Sequence, residues 1–408
     1  MVSRQVWMTC NDYLSKVIDM LPSNIGRQTL VTSMIQAYGL DRKCHGIIDV
    51  SPASRKELES YHSSALVKGL MRSRETVEID GDDEIRQILQ HLNEEDELEE
   101  DEQEEDELEE DEGEDLSANN DLEVGLVDDC YPFPFMSSYV RFTAGSSLAT
   151  AQRLVTEKTS KPVQNVAINW YGGRHHCRKG KAAGFCYVND IILAIGVLRK
   201  SFGKVFYIDF DLHHGDGVEY GYEYSKNVLT CSVHRWDVGF YPGTGSLESS
   251  TKHKYNIPTR RGLTDDGMMT IVQRIILPLI ENFQPGAILL QCGCDGLALD
   301  KHREWNMTIN GFSKVIETVL GSVGQIPVML VGGGGYNHTE TAKCWTHITL
   351  TVLGTPIEFD MIPEHEHLDV YEKDGYAFWS HVNSKPLNMK DENDEEYIEN
   401  IRRYLLEL

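Results

Sequence analysis

Residues 207–217 read YIDFDLHHGDG, an apolar run that ends in carboxylates and imidazoles. Alternate side chains of a strand share a face, so a strand through this run aims Asp209, Asp211 and His213 the same way. A hard carboxylate and a borderline imidazole two residues apart make half of a first-row metal site, most plausibly for zinc. Asp295 is the candidate to complete it, because it ends another apolar run and Gly293 lets the backbone come close. Two aspartates and one histidine leave a coordination position open, the mark of a catalytic rather than a structural zinc. An ion held there lowers the pKa of a coordinated water to about 7, within reach of attack on a carbonyl at neutral pH. His175 and His176, after Gly172 and Gly173, supply imidazoles for the proton traffic, with Asp209 and Asp216 as the carboxylates that orient them. Tyr336 follows four glycines, and its phenol can donate to a developing oxyanion.

These residues need a frame that brings them together. Apolar runs at Val163–Trp170, Val205–Phe210, Val228–Val233, Ala287–Cys292 and Pro327–Val331 predict buried strands. Amphipathic stretches over Cys186–Ser201, Thr264–Phe283, Thr308–Leu320 and Thr339–Leu353 predict helices; two of them open on a threonine cap, and Gly354 follows the last. A shorter helix is expected over 27–39. Strands apolar on both faces that alternate with helices imply a parallel sheet covered on both sides, an α/β, three-layer αβα domain. Ligands in such sheets bind at the carboxyl ends of the strands. Four of the runs lead directly into unusual chemistry: GGRHH, Asp211 with His213, Gly293-Cys294-Asp295, and GGGGYN.

A chain of 408 residues with a net charge of −27 suggests a strongly acidic protein, but residues 94–115 alone hold 18 acidic and no basic side chains, and without them the balance is −9. Acidity therefore belongs to one segment, and the rest is ordinary for an enzyme. The low-complexity stretch 81–121 is expected to be a disordered loop, either a solvated spacer or a docking tract for basic partners such as histone tails. Nine cysteines without a C-x-x-C pair point to a reducing compartment without disulfides. No run of about 18 apolar residues occurs and the start is polar, so a soluble, intracellular protein is expected.

The motifs NWYGGRHH, GFCYVND, DFDLHHGDG, FYPGTGS, CGCDG and GGGGYN, in this order, closely resemble those of the class I zinc-dependent histone deacetylases, lysine deacylases of the arginase/deacetylase fold. The resemblance covers residues 121–360 strongly and 5–80 weakly. GGRHH, CGCDGLALD with EWNMT, and the tail ending in YLLEL are most similar to a fungal Hos-type branch, implicated in deacetylating the cohesin ring as well as histones. The expected division is 1–80 as the first part of the deacetylase domain, 81–121 as the acidic insertion, 122–360 as the catalytic core and 361–408 as a C-terminal segment.

The resemblance implies zinc on Asp211, His213 and Asp295, with His175 paired to Asp209 and His176, the main general base and acid, paired to Asp216. It implies that Tyr336 polarises the acetyl carbonyl, Gly184 accepts from the substrate's side-chain amide, Phe185 and Tyr241 wall a tunnel around the lysine stem, and Asp129 accepts from the substrate backbone at the rim. It places a potassium ion on the Asp209 and Ser232 side chains with the carbonyls of Asp211, His213 and Val233, and Arg27 on the exit route of acetate. Tyr241 stands for the usual Phe, His302 for a Leu or Met bordering the pocket, Cys177 for Ala and Cys294 for a small residue, which makes the rim more polar and leaves acyl preference open. The implied partners are acetylated histone tails or other chromatin proteins and corepressor subunits, with no sequence-specific nucleic acid and no membrane; the implied location is the nucleus, with the cytoplasm as a second place. Two other readings are an acetylpolyamine- or arginase-type hydrolase and a non-catalytic histone-binding scaffold. A single Asp-His-Asp set speaks against a two-manganese centre, and the retention of every ligand and of Tyr336 speaks against a scaffold.

Overall fold

The computed structural model describes residues 3–72, 116–157, 162–357, 360–380, 383 and 386–408. Eight strands form one sheet: β1 (Ser3–Met8), β2 (Gly46–Ile47), β3 (Val163–Asn169), β4 (Val205–Asp209), β5 (Val228–Arg235), β6 (Lys254–Thr259), β7 (Ala287–Gln291) and β8 (Val328–Val331). Their order is β2-β1-β3-β8-β7-β4-β5-β6, and every pair is parallel. The five strands expected from apolar runs are β3, β4, β5, β7 and β8. Three were not expected, because β1 carries Arg4 and Gln5, β2 has two residues, and the edge strand β6 contains Lys254, Asn256 and Pro258. Proline lacks the ladder donor and survives where one side of the strand is free.

Both faces of the sheet are buried. Phe206, Ile208, Ile288, Leu290, Val328 and Leu330 pack against the helices Arg27–Ala37, Asp265–Ile271, Ile309–Ser322 and His338–Leu353. Their alternates Val205, Tyr207, Ala287, Leu289, Met329 and Val331 pack against Met136–Thr156 and Asp190–Phe202. This period of two with apolar residues on each side is what a three-layer αβα fold requires.

The helix expected from Thr264 to Phe283 is continuous through a π-helical stretch, Val272–Ile276, and Thr264 caps it by accepting from Gly267 N. The helix expected from Cys186 begins later, at Asp190, where the Asn189 side chain accepts from Ile192 N. The 21-residue helix Met136–Thr156 was not anticipated, since its buried face is rich in small polar residues. Three of these hydroxyls find partners: Ser146 Oγ donates to Thr143 O (2.8 Å), Thr150 Oγ1 to Ser146 O (2.7 Å) and Ser147 Oγ to Asp190 Oδ2 (2.5 Å). Gly145 lets this helix touch the 51–53 segment; a Cβ there would lie 2.0 Å from Ser51 O.

One expectation needs correction. Leu116–Val124 is helical, so the stretch expected to be loop through 121 ends before residue 116. The remainder of that acidic insertion, including 94–115, lies outside the described residues.

Candidate active site

The site is assembled by strand register. Asn169, Val331, Gln291 and Asp209 are the last residues of β3, β8, β7 and β4, and they lie side by side across the four neighbouring strands. The segments that follow, with His175, Tyr336, Asp295 and Asp211, leave the sheet at one edge. This is the carboxyl-end crevice where open α/β sheets place their ligands.

Asp211, His213 and Asp295 are buried, and one ligand atom from each lies within 4.8 Å of the others. They do not share a strand face as the alternation suggested: β4 ends at Asp209, and the turn after it carries Asp211 and His213 inward. Asp211 Oδ2 accepts from Gln291 Nε2 (2.7 Å) and Gly334 N (2.8 Å), and Asp295 Oδ1 accepts from Leu212 N (2.9 Å). The other oxygens face the imidazole, with Asp295 Oδ2 at 2.9 Å and Asp211 Oδ1 at 3.4 Å from His213 Nδ1. Burial, and then the Asp211 charge beside it, push Asp295 up to about 6. Two buried carboxylates this close repel unless a cation lies between them, so the donor set fits a divalent ion with oxygen and nitrogen ligands.

The adjacent imidazoles take opposite environments. His176 Nδ1 lies 2.8 Å from Asp216 Oδ1, whose other oxygen accepts from Arg178 Nη2 (2.9 Å). Burial and then the charge of His175 push His176 down to about 4, leaving it neutral. His175 Nδ1 lies 2.8 Å from Asp209 Oδ2, which also accepts from Tyr207 Oη (2.6 Å). Burial works against its charge, but Asp209 and Asp211 outweigh it and raise His175 to about 9. The turn that presents both rings needs Gly173, at φ +101°, where a Cβ would lie 2.2 Å from Gly332 O.

Tyr336 is positioned by Asp300, whose Oδ2 accepts from Tyr336 N (2.7 Å) and Asn337 N (3.2 Å). Burial, then the Asp295 and Asp211 charges, raise its phenol well above the ordinary range, so it stays a hydrogen-bond donor. Gly184 and Phe185 both have positive φ, +58° and +59°, and Gly184 N donates to Asp129 Oδ2 (3.1 Å). Tyr241 lies 5.0 Å from the His176 ring and Phe185 6.2 Å from Tyr336, so the two aromatics stand over the reaction centre. His302 joins them, 5.0 Å from His213 and 4.9 Å from Tyr336, with Nδ1 2.9 Å from Asp300 Oδ1. Arg27 is fully buried behind the glycine loop and donates from Nη1 to Gly333 O (3.0 Å) and Gly335 O (3.1 Å). Ser232 is opposite Asp209 in the β4–β5 register, and Val233 follows it in β5.

All the expected site residues thus fall at this sheet edge or directly behind it. Sequence reasoning passed over the residues that hold them. Gln291 and Asp300 lie four residues before and five after Asp295, and Asp190 accepts from Gly173 N (2.9 Å) and Arg174 N (2.8 Å). Gln291 was legible as a polar residue inside an apolar run; Asp190 and Asp300 close the motifs GFCYVND and CGCDGLALD and were given no role there.

Comparison with known proteins bears on the same residues. A family model described as the histone deacetylase domain matches residues 21–352. The chain is similar to histone deacetylase HOS1 of Saccharomyces cerevisiae, 30% identical over 465 aligned positions that cover 97% of this chain and 98% of the relative. It is 32% identical to histone deacetylase 8 of Xenopus tropicalis, covering 93% of this chain and 91% of that one. It is 34% identical to human histone deacetylase 1, covering 95% and 70%.

Proposed function

The chain belongs to the histone deacetylase family, a hydrolase that removes acetyl from acetyl-lysine, and on that premise we propose how its residues divide the work. Asp211, His213 and Asp295 would hold zinc, which when bound supplies a Lewis acid for the acetyl carbonyl and a more acidic water. Neutral His176, its Nδ1 tied to Asp216, takes the proton of the attacking water at Nε2 and returns it to the leaving lysine nitrogen as the C–N bond breaks. Charged His175 stays beside it and favours the developing negative charge. Tyr336 donates to the same oxygen from a phenol that burial keeps protonated.

Gly184 would accept from the amide N–H of the acetyl-lysine through its carbonyl, and Phe185 and Tyr241 would enclose the neutral stem, which suits aromatic walls better than charged ones. Asp129 would accept from the substrate backbone, and His302 would border the entrance. Asp209 and Ser232 side chains with the carbonyls of Asp211, His213 and Val233 would hold potassium. The substrates we propose are acetylated histones and chromatin proteins such as the cohesin ring, met in the nucleus, with the acidic run 94–115 as a docking tract and with corepressor subunits as partners in transcriptional repression.

The observation that carries this reading is the neutral His176, fixed by Asp216, beside a three-ligand metal cluster and Tyr336. The direct test is turnover of acetyl-lysine peptides by the purified, zinc-loaded protein. His176→Ala is expected to lower kcat by about 10²- to 10⁴-fold, and Tyr336→Phe by about 10²- to 10³-fold. Chelation should abolish turnover and zinc should restore it. Full activity in both variants, or in the chelated protein, rejects the assignment.

A further inference from the structure

The helix Asp216–Tyr222 sits directly on the histidine pair. Val218 N donates to His175 O (3.2 Å), and a Cβ on Gly217 would lie 2.6 Å from the carbonyl oxygens of both His175 and His176. One face of the helix is clamped by Lys254 Nζ, 3.2 Å from Glu219 Oε1 and from Glu223 Oε1, and by Asn256 Nδ2, which donates to Glu219 Oε2 (2.8 Å). Another face carries Asp216 and, four residues on, Tyr220, a spacing that makes their side chains neighbours. Arg178 lies across both. Its Nη2 donates to Asp216 Oδ2 (2.9 Å), and its guanidinium carbon stands 5.2 Å from the centre of the Tyr220 ring. The other oxygen of Asp216 is 2.8 Å from His176 Nδ1. A line of contacts thus runs from Tyr220, which is 58% exposed, to His176, which is buried.

Arg178 is the loose link in this line. Its side chain is 45% exposed, against 9% for Asp216. A half-exposed arginine on a flexible stem gives up much of an ion pair's gain to the entropy of holding one rotamer. An aromatic ring against the guanidinium plane narrows that choice, because the ring face attracts the cation while the edge of the fork stays free to donate. Asp216 depends on that donor in turn, since a buried carboxylate oxygen left without one is costly. A carboxylate that turns to find another partner no longer holds His176 Nδ1.

We propose that Tyr220 is a positioning residue for the deacetylation step: its ring keeps Arg178 on Asp216 and so fixes the orientation of His176 from the surface of the molecule. The proposal rests on the deacetylase reading for what His176 does, but the line of contacts stands without it. Because the pair acts on the base and not on the acetyl-lysine, it governs kcat and leaves KM alone. An anion placed at position 220 competes with Asp216 for the same guanidinium, so turnover can be lowered from outside the cavity.

The test uses the zinc-loaded full chain, with steady-state turnover of acetyl-lysine peptides beside ¹⁵N NMR of the Arg178 guanidinium. Tyr220→Leu is expected to lower kcat about two- to fivefold, with KM unchanged, the size of one exposed cation–π contact. Arg178→Met should lower kcat by about tenfold or more, as loss of a hydrogen bond between charged groups does. Tyr220→Phe keeps the ring and should rescue kcat, whereas Tyr220→Glu should fall below Tyr220→Leu. Adding Tyr220→Leu to Arg178→Met should cost nothing further, because both act through one contact. Wild-type kcat in Tyr220→Leu or in Tyr220→Glu overturns the proposal, as does a loss carried by KM, a loss in Tyr220→Phe equal to that in Tyr220→Leu, or losses that multiply in the double variant. Separate Nη signals report a guanidinium held still; they are expected in wild type and Tyr220→Phe, and averaged in Tyr220→Leu. Averaged signals in wild type overturn the proposal whatever the kinetics. Separate signals in a wild type without turnover remove the deacetylase reading and leave Tyr220 holding Arg178, so the two failures are distinguishable.

Discussion

Two adjacent histidines can hold different charge states, one neutral and one cationic, when each is anchored to its own carboxylate and only one lies beside the metal-side acids. Here Asp209 serves His175 and Asp216 serves His176, each at 2.8 Å. The second anchor is itself braced by Arg178, so the neutral ring cannot swing. The same crowding explains Gly184. A Cβ there would lie 2.4 Å from His176 Cδ2 and 2.7 Å from Tyr241 Oη, on a backbone at φ +58°. Gly184→Ala is therefore expected to push His176 or Tyr241 aside. A displacement near 1 Å costs about 10²-fold in rate, whereas left-handed backbone strain costs only about 1–2 kcal/mol of stability. Steady-state kinetics together with a melting curve separate the two; wild-type kcat/KM in the alanine variant contradicts the geometry.

At the scale of elements, helix caps tie neighbouring helices to one another. The helix Ile309–Ser322 shows how. Thr308 Oγ1 accepts from Gly311 N (3.0 Å) and donates to Asp265 Oδ2 (2.6 Å), while Asp265 Oδ1 accepts from Thr308 N (2.8 Å). One threonine thus caps its own helix and ties it to the first turn of the helix at Asp265–Ile271. Thr308→Ala removes a cap worth about 1 kcal/mol and leaves Asp265 a partner short, a further loss of about 1–3 kcal/mol. Urea unfolding should show a loss of that order, and Thr308→Ser should recover most of it. A loss equal in both variants points to packing of the methyl group instead.

For the molecule as a whole, pH acts through histidines held neutral outside the metal cluster. His62 Nε2 accepts from Asn189 N (3.0 Å), and burial pushes it down to about 4. His347, hydrogen-bonded to Ser313 Oγ, is likewise held near 4 by burial. An unfolded chain binds protons at these rings below about pH 6.5 while the folded chain does not, so the unfolded state carries more protons in this window and stability falls as pH falls. The contribution is fully present above pH 6.5 and is lost progressively as pH drops from 6.5 toward 4. One unit of pKa is worth about 1.4 kcal/mol, so the two rings together take out a few kcal/mol. Urea midpoints measured from pH 7 to 4.5 should decline accordingly; a flat profile above pH 5 contradicts the neutral burial of both.

Much of this was legible in the amino-acid order. Apolar runs marked β3, β4, β5, β7 and β8, their polar ends marked the site, and the periodicity required a parallel sheet, because these are local consequences of side-chain type. Strand order was not local. That β3, β8, β7 and β4 are neighbours, ending at one level with Asn169, Val331, Gln291 and Asp209 abreast, comes from crossovers that pair residues 162, 40 and 82 positions apart. The Ser- and Thr-rich helix Met136–Thr156, hidden from any hydrophobic pattern, is accommodated because Ser146 and Thr150 bond back to the helix, Ser147 bonds to Asp190 and Gly145 admits a close neighbour. The supporting acids Asp190 and Asp300 acquired their roles only from what surrounds them. Residue types determined which chemistry this protein can do; tertiary contacts decided which groups are charged, which are held still and which are left without a partner, since charge and hydrogen bonding depend on neighbours that sequence distance does not reveal.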